Sequence, residues 1–183
     1  MAITLENINK NLPGGCNPGG IVQRVYFCYQ SDVLTFPAKP DLETVTTLEG
    51  LALLVGNIVM NTGKRMWELY LTDETGEFKI EMVGEKDGKS FIEHLTLFHP
   101  GLQKKILGFV NSAKNENLVF IVEDGTGQMY LMGDAATPAT LAASEGISTG
   151  KATADRAGAN LEFTYKTCNA YVYEGTVPLT PAI

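Results

Sequence analysis

The chain has 183 residues and a mass of 19.8 kDa, enough for one self-sufficient core, with 44% hydrophobic but only 19% charged residues, 19 glycines and 8 prolines. Such a chain folds but turns often, which argues against disorder and coiled coil and for an all-β domain. Fourteen basic against 21 acidic side chains leave a formal charge of -7 and a pI near 4.8, the wrong sign for gripping nucleic acid through its phosphates.

The start, Met1 to Glu6, lacks a basic segment followed by an apolar core, so no signal peptide is expected and synthesis in the cytoplasm is. Residues 1–20 end in Pro13-Gly14-Gly15-Cys16-Asn17-Pro18-Gly19-Gly20, which no regular element can traverse, and read as a flexible arm ahead of a single domain over 21–183. Ile21 to Tyr29 is rich in β-branched and aromatic residues and reads as a strand. Leu42 to Asn61 contains the longest apolar run, Leu51 to Met60; it fits strand or buried helix by periodicity, and strands are preferred. The run falls far short of the roughly 20 residues of a membrane-spanning helix, so no membrane partner is expected.

Trp67, Leu69 and Leu71 alternate with polar residues, Asp73-Glu74-Thr75-Gly76 makes a turn, and Phe78, Ile80 and Met82 alternate in their own segment. After a second turn at Gly84 to Gly88, Phe91, Glu93, Leu95 and Leu97 share one face of a further strand. A three-stranded meander is expected. Leu102, Ile106, Phe109, Val110 and Ala113 then form one apolar stripe, a helix over about 101–114 with Pro100 at its first turn, the one helix expected of the chain. A hairpin follows at Leu118 to Val122 and Met129 to Met132. Strands are expected at 150–154, 161–167 and 170–173. The expected fold class is mainly β, a β-sandwich or partly closed β-barrel with one flanking α-helix.

The chemical motifs read as turns. Gly146 to Lys151 has three residues between its glycines instead of four, and alanine where a phosphate loop needs Ser or Thr after the lysine. Gly63-Lys64 runs into a strand with no helix N-terminus behind it. Asp124-Gly125-Thr126-Gly127 lacks the second carboxylate loop of an aspartic protease. His94 and His99 do not share a helix face, and Cys16, Cys28 and Cys168 are an odd number at wide spacing, best read as reduced thiols. The acids of 73–87 sit in turns or on a wet strand face, so no acid or base is nominated. No catalytic residue, metal, cofactor or small-molecule substrate is expected, and the chain reads as a non-enzyme.

Three stretches together resemble tail tube proteins of long-tailed bacteriophages and related prophages: Asn17-Pro18-Gly19-Gly20 leading into Val25-Tyr26; Trp67 through Asp73 to Phe78 and on to Gly84 to Phe91; and Ser148 to Ala152 through Asp155 and Gly158 to the last strands. The resemblance implies hexameric rings whose inner sheets join around a channel and stack into a tube. DNA passes through that tube without specific binding, in a virion assembled in the host cytoplasm alongside other tail proteins. It also implies an arm, matched by 1–20, and an inter-ring loop, with 29–50 and 73–88 as candidates. Acids facing such a bore would repel DNA phosphates, and Glu68, Glu81, Glu93 and Glu162 are the channel-lining candidates because each sits in a strand with a plausible polar face. Another virion protein, for capsid decoration or tail completion, is the alternative. A third reading is a carbohydrate- or receptor-binding sandwich using exposed Tyr26, Tyr29, Tyr165, Tyr171 and Tyr173.

Overall fold

The computed structural model describes residues 3–8, 18–142 and 146–183. Most of the expected arm, with Cys16, lies outside them; Thr4, within the described part, donates its amide to the Thr46 carbonyl at 2.8 Å. The chain is mainly β and its sheets do not close into a barrel.

In chain order the strands are β1 (Ile21–Tyr29), β2 (Val33–Thr35), β3 (Leu53–Leu54), β4 (Val59–Met60), β5 (Trp67–Tyr70), β6 (Glu77–Val83) and β7 (Ser90–Pro100). They continue as β8 (Leu118–Asp124), β9 (Met129–Met132), β10 (Thr140–Leu141), β11 (Gly146–Ser148), β12 (Gly158–Thr167) and β13 (Val172–Tyr173). Sheet one has the order β3-β13-β9-β8-β1-β5, and sheet two the order β10-β12-β7-β6 with β11 also on β12. Strands β2 and β4 pair apart from both.

Two cores explain the sequence pattern. One face of sheet one, with Val25, Leu69, Leu118, Phe120, Val122 and Met132, packs on Leu95, Leu97, Leu161, Phe163 and Tyr165 of sheet two. Ring contacts cross the gap, Phe120 to Phe163 at 4.4 Å and Phe78 to Tyr130 at 4.6 Å. The opposite face of sheet one, with Tyr26, Cys28, Leu54, Val119, Ile121, Leu131 and Tyr173, packs with Ile58, Met60 and Met66. The centre of sheet one is therefore buried on both sides, which is why β8 reads as an unbroken apolar run, while β7 and β12 of sheet two alternate.

Helix α2 (Lys104–Ala113) buries Ile106 and Ala113 and sets Phe109 against Phe27 of sheet one and Phe163 of sheet two, closing one flank of the sandwich. It begins later than the apolar stripe suggested, because Pro100 ends β7 and Gly101, at φ +78°, reverses the chain. A second helix, α1 (Leu48–Ala52), opens the apolar run in which only strands were expected. Thr47 caps it by accepting the Gly50 amide.

The meander is corrected too. Strand β5 pairs with β1 in sheet one, whereas β6 pairs with β7 in sheet two. Residues 71–76 are the corner between them: the Leu71 amide still bonds the Gln23 carbonyl of β1, and the Thr72 amide already bonds the Phe98 carbonyl of β7. The strand expected at 150–154 is a loop instead, closed by Asp155, whose Oδ2 accepts the Lys151 and Ala152 amides at 2.8 Å each.

Candidate assembly surface

Pairing register defines the outer face of sheet two. Along it stand Glu77, Lys79 and Glu81 of β6, Ile92, His94 and Thr96 of β7, and Glu162, Thr164 and Lys166 of β12. These alternate with core-facing Phe78, Ile80, Leu95 and Phe163, so the polar set is what a strand period of two leaves outside. Two of the four nominated acids meet here. His94 lies between them, its Nδ1 3.0 Å from Glu162 Oε1 and its Nε2 3.8 Å from Glu81 Oε2, while Lys79 Nζ donates to Glu81 Oε2 at 3.0 Å. That lysine, and then the imidazole, hold the Glu81 carboxyl below its ordinary range. The carboxylates address opposite nitrogens of one ring, so they cannot converge with it on one cation. Among the described residues no three His, Cys, Asp or Glu side chains are placed to hold a metal ion.

The other two nominated acids lie elsewhere. Glu68 pairs across from Tyr26 on β1, exposed on the far face of sheet one, beside a groove of about 740 Å³ with Arg24, Tyr70 and Asp73. Glu93 corrects the expected wet face. It is 2% exposed on the core side of β7, with Oε2 lacking any hydrogen-bond partner, and burial pushes its carboxyl up to about 8. The alternation that grouped it with Phe91, Leu95 and Leu97 was the signal that placed it inside.

The edges of sheet two matter as much as its face. Strand β6 is a seven-residue edge that pairs only with β7 among the described residues. The opposite edge is built from the short strands β10 and β11 on β12. All pairings in this sheet are antiparallel, so β6 runs parallel to β12 and opposite to β10 and β11.

The remaining motifs act as local structure. Gly63 and Gly150 adopt φ of +76° and +74° in turns, and Asp124 Oδ1 accepts the Thr126 and Gln128 amides across the β8–β9 hairpin. Of the tyrosines weighed for sugar stacking, Tyr26, Tyr165 and Tyr173 are buried, at 6%, 3% and 1% exposure, which removes them from any stacking surface. Cys28 is a core thiol that burial and then the Asp32 charge raise to about 12, while Cys168 is exposed and free.

Sequence reasoning missed one polar cluster. Asp134 Oδ2 accepts Lys39 Nζ at 2.5 Å and the Tyr165 hydroxyl at 2.9 Å, and its Oδ1 accepts the Ala136 and Thr137 amides. Burial alone would raise this carboxyl, but those donors outweigh it and hold the group below its ordinary range. It pins residue 39 of the long 36–47 segment to both sheets. Lys39 and Tyr165 are distant from it in sequence, so no local pattern marked the cluster.

No helix among the described residues is long and apolar enough to cross a membrane. Comparison of the chain with protein-family models, with curated proteins and with solved structures found no match.

Proposed function

We propose that the chain is a structural subunit that joins copies of itself edge to edge through sheet two, forming rings that stack into a tube of the kind a long-tailed phage uses to deliver DNA. The observation that carries this reading is the pair of oppositely directed edge strands of sheet two, β6 on one side and β10 with β11 on the other, whose only strand partners among the described residues are β7 and β12. A copy related by rotation about an axis along the strands brings its β10–β11 edge antiparallel to β6, the same pairing used throughout the sheet. Such a head-to-tail contact uses two different surfaces and closes into a ring when the rotation closes. An uncapped edge strand is otherwise an aggregation liability.

In this arrangement the outer face of sheet two turns toward the bore. Glu77, Glu81 and Glu162 stand there against Lys79 and Lys166, one formal negative charge in excess with His94 neutral. The surface is hydrophilic and weakly acidic, which favours DNA sliding over adhesion. The reading thus narrows the channel candidates to Glu81 and Glu162. Of the two inter-ring candidates, 29–50 holds the longest irregular stretch among the described residues, 36–47, whereas 73–88 contains the seven residues of β6 itself.

Electron microscopy and sedimentation of the purified chain test this: rings or tubes are expected, and a monomer at all concentrations ends the reading. Two variants locate the contact. In an antiparallel edge strand adjacent amides point alternately inward and outward, so of Lys79→Pro and Ile80→Pro one strips an outward amide and leaves the β6–β7 ladder whole. That variant should keep the β-sheet circular dichroism of the wild type and lose its rings; rings from both variants would move the contact away from β6.

A further inference from the structure

Glu93 sits in the middle of sheet two, with Ile80 across from it on β6 and Tyr165 across from it on β12, and its side chain enters the interior between the sheets. A carboxylate there must be paired or hydrated, because moving an unpaired charge out of water costs several kcal/mol or more. No side chain or backbone group among the described residues pairs with it. Oε2 has no hydrogen-bond partner, Ile80 offers no polar atom, and the Tyr165 hydroxyl is spent on Asp134. The surrounding titratable groups do not neutralise it. Asp134 is itself an anion satisfied by Lys39; Tyr130, facing this interior from β9, directs its hydroxyl to Gln128 and Asp124; and α2 contributes the apolar Ile106, Phe109 and Val110. His94, next in sequence, points to the opposite face and its Nδ1 and Nε2 are engaged by Glu162 and Glu81.

We propose that Glu93 is a proton-operated latch between the two sheets: as a neutral acid it allows sheet two to pack on sheet one, and its ionisation loosens that packing. The latch depends on the interior alone and not on whether copies assemble.

The direction of the pH effect follows from linkage. The carboxyl has an ordinary value of 4.5 and is pushed up to about 8 by burial in the folded chain. Below 4.5 both states hold the proton and the latch is fully closed. Between 4.5 and about 8 the unfolded chain releases the proton while the folded chain keeps it, so stability falls as pH rises; above about 8 the loss is complete.

Urea unfolding of the full chain at pH values from 5 to 9 reads this directly. The unfolding equilibrium constant should rise by up to about tenfold per pH unit until near 8 and then level off. Glu93→Gln should remove that slope, and His94→Gln, which removes the imidazole next in sequence on the opposite face, should retain it. If Glu93→Gln does not fold, carbon-13 NMR of glutamate carboxyls in the wild-type chain decides instead: one carboxyl titrating near 8 supports the latch. Equal slopes in wild type and Glu93→Gln, or all glutamates titrating near 4.5, would overturn it.

Discussion

Tyr173 carries its hydroxyl into the second core, where it accepts the Ile58 amide at 3.1 Å and donates to the Thr176 carbonyl at 2.9 Å. It is 1% exposed, and it ties the short strand β13 to the loop before β4. Tyr173→Phe keeps the ring packing but strands a buried amide, so a loss of about 1–3 kcal/mol in urea unfolding is expected, with unchanged slope against denaturant. A loss near zero would mean that the hydroxyl is not the tie. Neither partner of Tyr173 was legible in the sequence, because Ile58 is 115 positions away and nothing local marks an amide as lacking a partner. Glu93 is the opposite case. The period-two pattern placed it with Leu95 and Leu97, and only its charge argued for the outside. Geometry prevailed, and the strand kept its register at the cost of a carboxyl held neutral.

Elements were legible where their own residues decide them. Strand β1 matches its expected span, β8 and β9 form the expected hairpin around Asp124 to Gly127, and β6 and β7 join through Gly84 at φ +94° and Asp87 at φ +70°. Helix α2 was visible from its stripe, and the stripe predicts its energetics. Ile106, 3% exposed, faces the sandwich, while Leu107, 38% exposed, does not. Ile106→Ala should therefore cost about 2–5 kcal/mol, and Leu107→Ala within about 0.5 kcal/mol of zero, by the same unfolding measurement. Comparable losses at both sites would show that the helix docks by another face. What the sequence could not supply is partnership between elements. The corner at Asp73 to Gly76 has the same turn residues as a hairpin, yet it sends the chain from one sheet to the other. The deciding bonds run from Leu71 and Thr72 to Gln23 and Phe98, residues remote from the turn. Short strands such as β3 and β13 exist by pairing, β3 with β13 and β13 with β9, so neither carries a pattern of its own.

At the scale of the whole molecule, charge sets a test that the assembly proposal must pass. Each copy carries a formal charge of -7, so copies brought edge to edge repel one another before any backbone bond forms between them. Salt shortens the reach of that repulsion, from about 30 Å at 0.01 M to about 3 Å at 1 M, and leaves short-range strand pairing and apolar contact largely intact. Sedimentation of the chain should therefore shift from small species toward rings and tubes as salt is raised. Assembly through opposite charges would respond the other way. Glu81→Lys with Glu162→Lys refines the point: each exchange adds two positive charges, bringing the formal charge per copy from -7 to -3. The double variant should assemble at lower salt than the wild type, because less repulsion remains to be screened. If its rings form, a bore relined with lysine should also retain DNA that the wild-type tube releases, with retention falling as salt rises. Dissociation of wild-type assemblies on adding salt would contradict a repulsion-limited, edge-paired ring and point to an interface held by ion pairs, with β6 and the face it borders no longer at its centre.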